Sequence, residues 1–359
     1  MHRKVCVVAC KRAGDNPVVM LISSTPDPAS RANLCALEET ILRFIRTGEG
    51  SFETLILAAH GFQRSLCAPY KAYCRAFKVP ASWQEIPAIP LGAFRDAPIR
   101  SFPAEESMRS FRTSGTTGEG YGEHHFRRLD LYRAAATTGW ERLGLRKDNL
   151  FCLLPSPEKS SHSSLSCMAG WLASPRRFFL KDWDRLSESV SREEQPVVLF
   201  GTALAFLDVF EWLGNRDIRL PEGSVAVETG GYKGTGRDLP KSELYASFQR
   251  YLGLSANSVW NEYGMTELSS QFYSRGLGNP HWGAPWVRAL VIDPESGKEC
   301  ADGETGILRI FDLANTGSCC AVQTRDLAIR RGENFELLGR DPAALPRGCS
   351  RTADEILSS

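Results

Sequence analysis

No apolar run in the 359 residues approaches the roughly 18–20 that a membrane-spanning helix needs, so an integral membrane protein is not expected. No block of Lys or Arg stands out, and Lys+Arg 43 against Asp+Glu 42 leaves a net charge of +1, which argues against a general nucleic-acid binder. The 11 cysteines form no CxxC pair and no Cys/His ligand spacing. Reduced thiols in a cytoplasmic protein are the expectation. The first apolar run, Val5 to Cys10, is too short for a signal-peptide core. Internal repeats and low-complexity tracts are missing too. What remains is a soluble globular balance, 42% hydrophobic and 24% charged, in a chain long enough for one large domain or two ordinary ones.

Two β-prone runs, Val5–Ala9 and Val18–Ile22, are split by Gly14-Asp15-Asn16-Pro17. They read equally as a hairpin or as an N-terminal extension, residues 1–34. Leu37, Ile41, Leu42 and Ile45 recur at helical spacing and stop before Gly48, and Ser51 can cap a second helix. A stripe from Phe62 to Phe77 continues the helical pattern, broken once at Pro69. From Asn149 onward short apolar runs alternate with longer amphipathic stretches. Strands are expected at Leu150–Leu154, Val197–Phe200, Val225–Val227 and Ser258–Trp260, and helices at Ala203–Leu213 and Lys241–Leu252. That alternation predicts an α/β core with a largely parallel sheet over residues 35–283. Runs at Val287–Ile292, Ile307–Phe311 and Leu327–Arg331 predict a smaller antiparallel β subdomain over 284–341, followed by a tail, 342–359.

The chemistry-bearing stretch is Thr113-Ser114-Gly115-Thr116-Thr117-Gly118-Glu119-Gly120-Tyr121-Gly122, with four Ser/Thr side chains and four glycines. Glycines let backbone N–H groups turn toward an anion and hydroxyls add donors, so the composition suits a phosphate cradle. It is neither a Walker A loop, since no Gly-Lys-Ser/Thr follows, nor a nucleophile elbow, since Arg112 stands where glycine is needed. A second cluster, Asn261-Glu262-Tyr263-Gly264-Met265-Thr266-Glu267, closes a predicted strand, where ligands of open α/β sheets gather. A third, Gln323-Thr324-Arg325-Asp326, precedes Gly339-Arg340. Together they supply phosphate donors, a carboxylate for a divalent metal, an aromatic for a base, an acidic acceptor for ribose and an arginine. His124-His125 beside Glu123 lack the HExxH spacing of a zinc site. His162 reads as a solvated loop histidine, and Cys319-Cys320 as two buried small residues.

In that order and spacing the motifs resemble the adenylate-forming superfamily, and within it the acyl-protein synthetase (LuxE) family. The narrower likeness rests on Ile86-Pro87-Ala88-Ile89-Pro90 with Phe94, Leu153-Leu154-Pro155, Ser163-Ser164-Leu165 with Met168, Gly230-Gly231-Tyr232-Lys233, and Arg347-Gly348-Cys349-Ser350. The resemblance covers residues 37 to 351. It implies the large N-terminal domain of the adenylate-forming fold, and activation of a carboxylic acid as acyl-AMP with ATP and Mg²⁺. Thr113, Ser114, Gly115, Thr116, Thr117 and Gly118 then wrap the β- and γ-phosphates. Gly230, Gly231 and Tyr232 line the adenine pocket, on which Tyr263 stacks. Thr266 contacts the α-phosphate, Glu267 holds Mg²⁺, Asp326 accepts the ribose hydroxyls and Arg340 sits near the nucleotide. Cys349 is the implied acyl-accepting thiol, with an acyl reductase or a carrier protein as the next partner.

Two departures qualify the likeness. Tyr121 stands where the superfamily loop carries a lysine, and nineteen residues follow Arg340, where most members continue into a mobile domain. A stand-alone ligase loading CoA or a carrier-protein thiol is one alternative expectation. A non-catalytic nucleotide-binding subunit is the other.

Overall fold

The structure, a computed structural model, describes residues 6–10, 18–22, 31–113, 121–216, 218–230 and 239–340, the first two segments by their backbone. Strands β1 (Cys6–Cys10) and β2 (Val18–Ile22) pair antiparallel, with Cys6 opposite Ile22. Helices α1 (Arg31–Thr47), α2 (Phe52–Leu66) and α3 (Ala68–Tyr73) follow. The Ser51 hydroxyl accepts from Thr54 N and caps α2, and Pro69 opens α3, where its missing N–H costs nothing. Strand β3 (Ile89–Pro90), helix α4 (Ala93–Asp96), and the hairpin β4 (Arg109–Arg112) and β5 (Glu123–Phe126) lead to α5 (Asp130–Arg142).

Next come β6 (Leu150–Leu153), α6 (Ser164–Leu172), α7 (Trp183–Ser191), β7 (Val198–Thr202), α8 (Ala203–Leu213), β8 (Val225–Thr229), α9 (Lys241–Leu252) and β9 (Val259–Tyr263). The strands β6 to β9 are parallel neighbours in that order. Their nearly continuous apolar runs fit a sheet covered on both faces. Strands β10 (Phe272–Arg275) and β11 (Trp282–Gly283) then extend its β9 edge antiparallel, so the sheet is mixed. β9 runs past Trp260, where the apolar run stops, through Asn261, Glu262 and Tyr263. Glu262 is paired there on both sides, to Thr229 and Tyr273, so backbone pairing carries the strand across a polar side chain.

The antiparallel subdomain is β12 (Val287–Ile292), β13 (Thr305–Asp312), β14 (Ala321–Arg331) and β15 (Asn334–Arg340), in that order. β3 joins it by pairing parallel to β14, Ile89 with Val322. Its core is continuous with the N-terminal helices: Ile41, Ile56 and Tyr70 belong to the same buried cluster as Ile310, Phe311 and Val322. The large sheet has two cores of its own. One is built on Leu199, Phe206 and Phe248, the other on Trp140, Phe200 and Trp260. Among the described residues no helix is long and apolar enough to cross a membrane.

Candidate active site

The parallel strands end together, and the last rung of the sheet sets Thr202, Thr229, Glu262 and Tyr273 side by side. Alternation along β8 and β9 sends the two acidic residues to opposite faces. On one face Glu228 accepts from Asn261 Nδ2 at 2.8 Å and Tyr245 Oη at 3.4 Å, with Lys241 Nζ 3.5 Å away. On the other face the Thr229 hydroxyl donates to Glu262 Oε2. Both carboxyls are buried, and burial raises both; Glu262 is pushed up to about 7 from 4.5. Gly264 packs closely beside it: a Cβ there would lie 2.5 Å from Glu262 Oε1, so the carboxyl would have to shift.

Tyr263, the last residue of β9, joins the two sheets. Its hydroxyl donates to Asp326 Oδ2 at 2.8 Å, and its ring lies 5.7 Å from Phe335 and 6.2 Å from both Phe272 and His281. Asp326 is directly opposite Arg340 in the β14–β15 register. Tyr263, Asp326 and the backbone of Arg340 therefore meet, although they are spread over 78 positions of chain. Thr324 is buried; its hydroxyl donates to Leu308 O and accepts from Asp326 N, orienting the strand rather than facing a ligand.

Thr266 and Glu267 form the turn after β9. The Thr266 hydroxyl donates to Arg112 O at 3.3 Å and lies 3.4 Å from Ser164 Oγ, next to the N-cap of α6. Arg112 ends β4, whose hairpin carries the glycine-rich loop. The neck of that loop is closed by Thr113: its N–H donates to Gly122 O at 2.9 Å, and its hydroxyl accepts from Gly122 N at 3.0 Å. Thr113 is thus engaged at the neck, and Tyr121 is 65% exposed at the loop's exit. Gly230 follows β8 with a φ of 74°, a left-handed value that favours glycine, and it is exposed. Of the remaining sequence-predicted residues, Ser114, Gly115, Thr116, Thr117, Gly118, Gly231, Tyr232, the Arg340 side chain and Cys349 lie outside the described residues.

Several residues that the sequence did not mark hold the turn in place. Asn315 Nδ2 donates to Glu267 O at 2.7 Å and Ser269 Oγ donates to Asn315 Oδ1 at 2.6 Å. Asp312 accepts from Ser269 N, Ser270 N, Ser270 Oγ and Ala314 N, at 2.6 to 2.9 Å. Gln63, from α2, donates to Asn315 O and Thr316 O and accepts from Cys320 N. His124 of β5 reaches both Thr266 O and Ser318 Oγ, each at 2.7 Å. The signals available were the adjacency of His124 to the loop and the polar run Asp312 to Ser318, which reads as an ordinary turn until its partners are known.

Comparisons with known proteins converge on one group. The acyl-protein synthetase, LuxE, family matches residues 158–358. The long-chain-fatty-acid–luciferin-component ligase of Aliivibrio fischeri is 21% identical over 341 residues, 85% of this chain and 88% of that protein. An open conformation of 2-hydroxyisobutyryl-CoA ligase, solved with 2-HIB-AMP and CoA, superposes with a TM-score of 0.62 at 15% identity, over 82% of this chain and 70% of that one. The same enzyme in its postadenylation state gives 0.61 at 16% identity, over 80% and 67%. Against ATP-bound MatB of Rhodopseudomonas palustris the likeness is lower, a TM-score of 0.46 at 19% identity, over 67% of this chain and about half (49%) of MatB. The large mixed sheet, the β subdomain beside it and the family match over more than half the chain carry one conclusion: the protein belongs to the LuxE family of acyl-protein synthetases, ligases built on the adenylate-forming fold.

Proposed function

We propose that the chain uses ATP to activate a carboxylic acid as acyl-AMP and then passes the acyl group to a thiol. The observation that carries this reading is the contact between the Thr266 turn and the strand leading into the glycine-rich loop, Thr266 Oγ1 to Arg112 O. It brings the Thr266 hydroxyl, from the residue next to Glu267, against Arg112 at the end of β4, two positions before Ser114. A carboxylate is a poor electrophile because its leaving group is oxide; adenylation replaces oxide with AMP. A carboxylate oxygen of the acid attacks the α-phosphorus while the bond to pyrophosphate breaks. The protein's part is to hold the reactants in line and to stabilise charge at the α-phosphate. In this reading Thr266 contacts the α-phosphate, Asp326 accepts from the ribose and Tyr263 packs on the base. Ser114, Gly115, Thr116, Thr117 and Gly118 wrap the outer phosphates, while Gly230, Gly231 and Tyr232 border the adenine and Arg340 lies near the nucleotide.

Glu267 would hold Mg²⁺. Among the described residues no cluster of three or more His, Cys, Asp or Glu could chelate a metal on its own. One carboxylate beside a hydroxyl is the donor set of an ion shared with phosphates, which fits Mg²⁺. When bound, the ion neutralises phosphate charge.

In the second step a thiolate, Cys349 in our reading, attacks the acyl carbonyl and AMP leaves, giving a thioester that an acyl reductase, a carrier protein or another acceptor can take. The test is ATP–pyrophosphate exchange over a panel of carboxylic acids, with Glu267→Gln expected to lower the rate by about 10²-fold. No exchange with any acid overturns the reading in favour of a nucleotide-binding subunit. A hydroxylamine-labile acyl adduct that is lost in Cys349→Ser supports the protein thioester. Transfer to free CoA without an adduct supports the stand-alone ligase.

A further inference from the structure

We propose that His124 is a positioning residue that clamps the Thr266–Glu267 turn to the strand leaving the glycine-rich loop. As a statement about catalysis this rests on the adenylation reading; as a statement about the turn it stands on geometry alone. His124 is 1% exposed, with its ring 4.2 Å from that of Phe126 and 5.4 Å from that of Phe94. Its Nδ1 lies 2.7 Å from Thr266 O. A carbonyl can only accept, so Nδ1 carries the hydrogen. Its Nε2, 2.7 Å from Ser318 Oγ, is then the acceptor of the serine hydroxyl. Burial pushes the ring down to about 4, so it is neutral at neutral pH, in keeping with this tautomer. Both nitrogens are engaged within the protein, which leaves neither for a substrate.

The consequence follows from the pairing around it. Phe111 is opposite His124 and Arg112 opposite Glu123 in the hairpin. The turn is therefore tied to both strands that frame the loop: by the Thr266 hydroxyl to Arg112 O on β4, and by the Thr266 carbonyl to His124 on β5. Ser318 and Asn315 belong to the segment that also binds Glu267 O. Hairpin strands, turn and buttress form one unit whose centre is the imidazole. Without the Nδ1 bond the turn, carrying Thr266 and Glu267, can shift relative to the loop, and a misplacement of about 1 Å costs about 10²-fold in rate.

A packing role and a clamping role are separable by isosteric amides. The asparagine amide nitrogen takes the place of Nδ1 and the glutamine amide nitrogen that of Nε2. His124→Asn keeps the donor to Thr266 O; His124→Gln is closer in volume to histidine but loses it. The clamp predicts that His124→Gln lowers kcat for ATP–pyrophosphate exchange by about 10²-fold with KM for ATP nearly unchanged, while His124→Asn stays within about fivefold of wild type. It also predicts faster amide hydrogen exchange at residues 265–268 in the Gln variant only. Ser318→Ala, which spares the Thr266 bond, should behave like the Asn variant and keeps the test alive if His124→Gln fails to fold. A milder effect of Gln than of Asn, or equal losses in Ser318→Ala and His124→Gln, overturns the proposal. If the wild type exchanges pyrophosphate with no acid, the functional reading fails on its own, and the order of amide-exchange rates still decides the clamp.

Discussion

Two buried carboxyls serve the motif from Asn261 to Glu267, one within it and one beneath its turn, and they are hydrogen-bonded to different extents. Asp312, beneath the turn, receives four hydrogen bonds, three from backbone N–H groups and one from a serine hydroxyl. Glu262, at the C-terminal end of the parallel strands, receives one, from Thr229, among the described residues. Both are raised by burial; at Asp312 four donors pull against the rise, whereas Glu262 reaches about 7. A buried carboxylate is tolerable when several donors replace its water, and protonates when they do not. The carboxylate that frames the turn is therefore fully partnered. The strand ends beside it hold a polar group whose charge state is poised near neutrality, as sites of chemistry often do.

The largest test of this contrast removes the Asp312 acceptor. Asp312→Ala leaves three buried N–H groups without their partner and should cost about 3–5 kcal/mol in denaturant unfolding, more than any substitution at Glu262. A loss below about 1 kcal/mol would mean that the donors find other partners.

Next in size is the pH dependence at Glu262. Its folded pKa, about 7, lies above its ordinary value of 4.5. Below pH 4.5 both states are protonated and burial costs nothing at this site. As pH rises from 4.5 toward 7 the unfolded chain gives up the proton first, so stability falls, levelling off above 7. Glu262→Gln removes that slope. The stability of the variant relative to wild type should rise across this window by up to about 3 kcal/mol. Parallel pH profiles would show that Glu262 is ionised and better solvated than its burial implies.

Gly264→Ala places a methyl 2.5 Å from Glu262 Oε1 and should cost about 2 kcal/mol. In the double variant with Glu262→Ala most of that cost should vanish; additive losses would point to the turn's backbone instead. The smallest effect is expected from Thr229→Val. Loss of its donated bond, which lowers the Glu262 pKa, should cost about 1 kcal/mol or less at neutral pH and extend the pH-dependent fall in stability to higher pH, with its onset near 4.5 unchanged. An unmoved profile would remove Thr229 from the comparison.

Legibility differed from element to element. Helices α8 and α9 and strand β12 coincide with the predicted spans Ala203–Leu213, Lys241–Leu252 and Val287–Ile292. Each carries a periodic apolar pattern of its own. Helix α5 carries no such pattern, because its buried face includes Ala134, Ala135, Ala136 and Gly139 and offers little contrast with its polar side. Strand β3 was invisible for another reason: two residues make a strand only because β14 is there to pair with them. At the site, residue types and motif order pointed to Thr266, Glu267, Tyr263 and Asp326, since their chemistry is a property of each side chain. The residues that hold them were not legible.

The amino-acid sequence by itself determined the periodic elements, the composition of the glycine-rich loop and the inventory of donors and acceptors in the motifs that follow it. These follow from propensity and functional groups, which act over a few residues. Only the tertiary structure decided that Tyr263 meets Asp326, that Asp312 and Asn315 brace the Thr266 turn, and that His124 touches Thr266, 142 positions away. Such contacts are chosen by which faces of distant elements become buried together, and a hydrogen-bonding side chain carries no mark of its partner until burial removes water as the alternative.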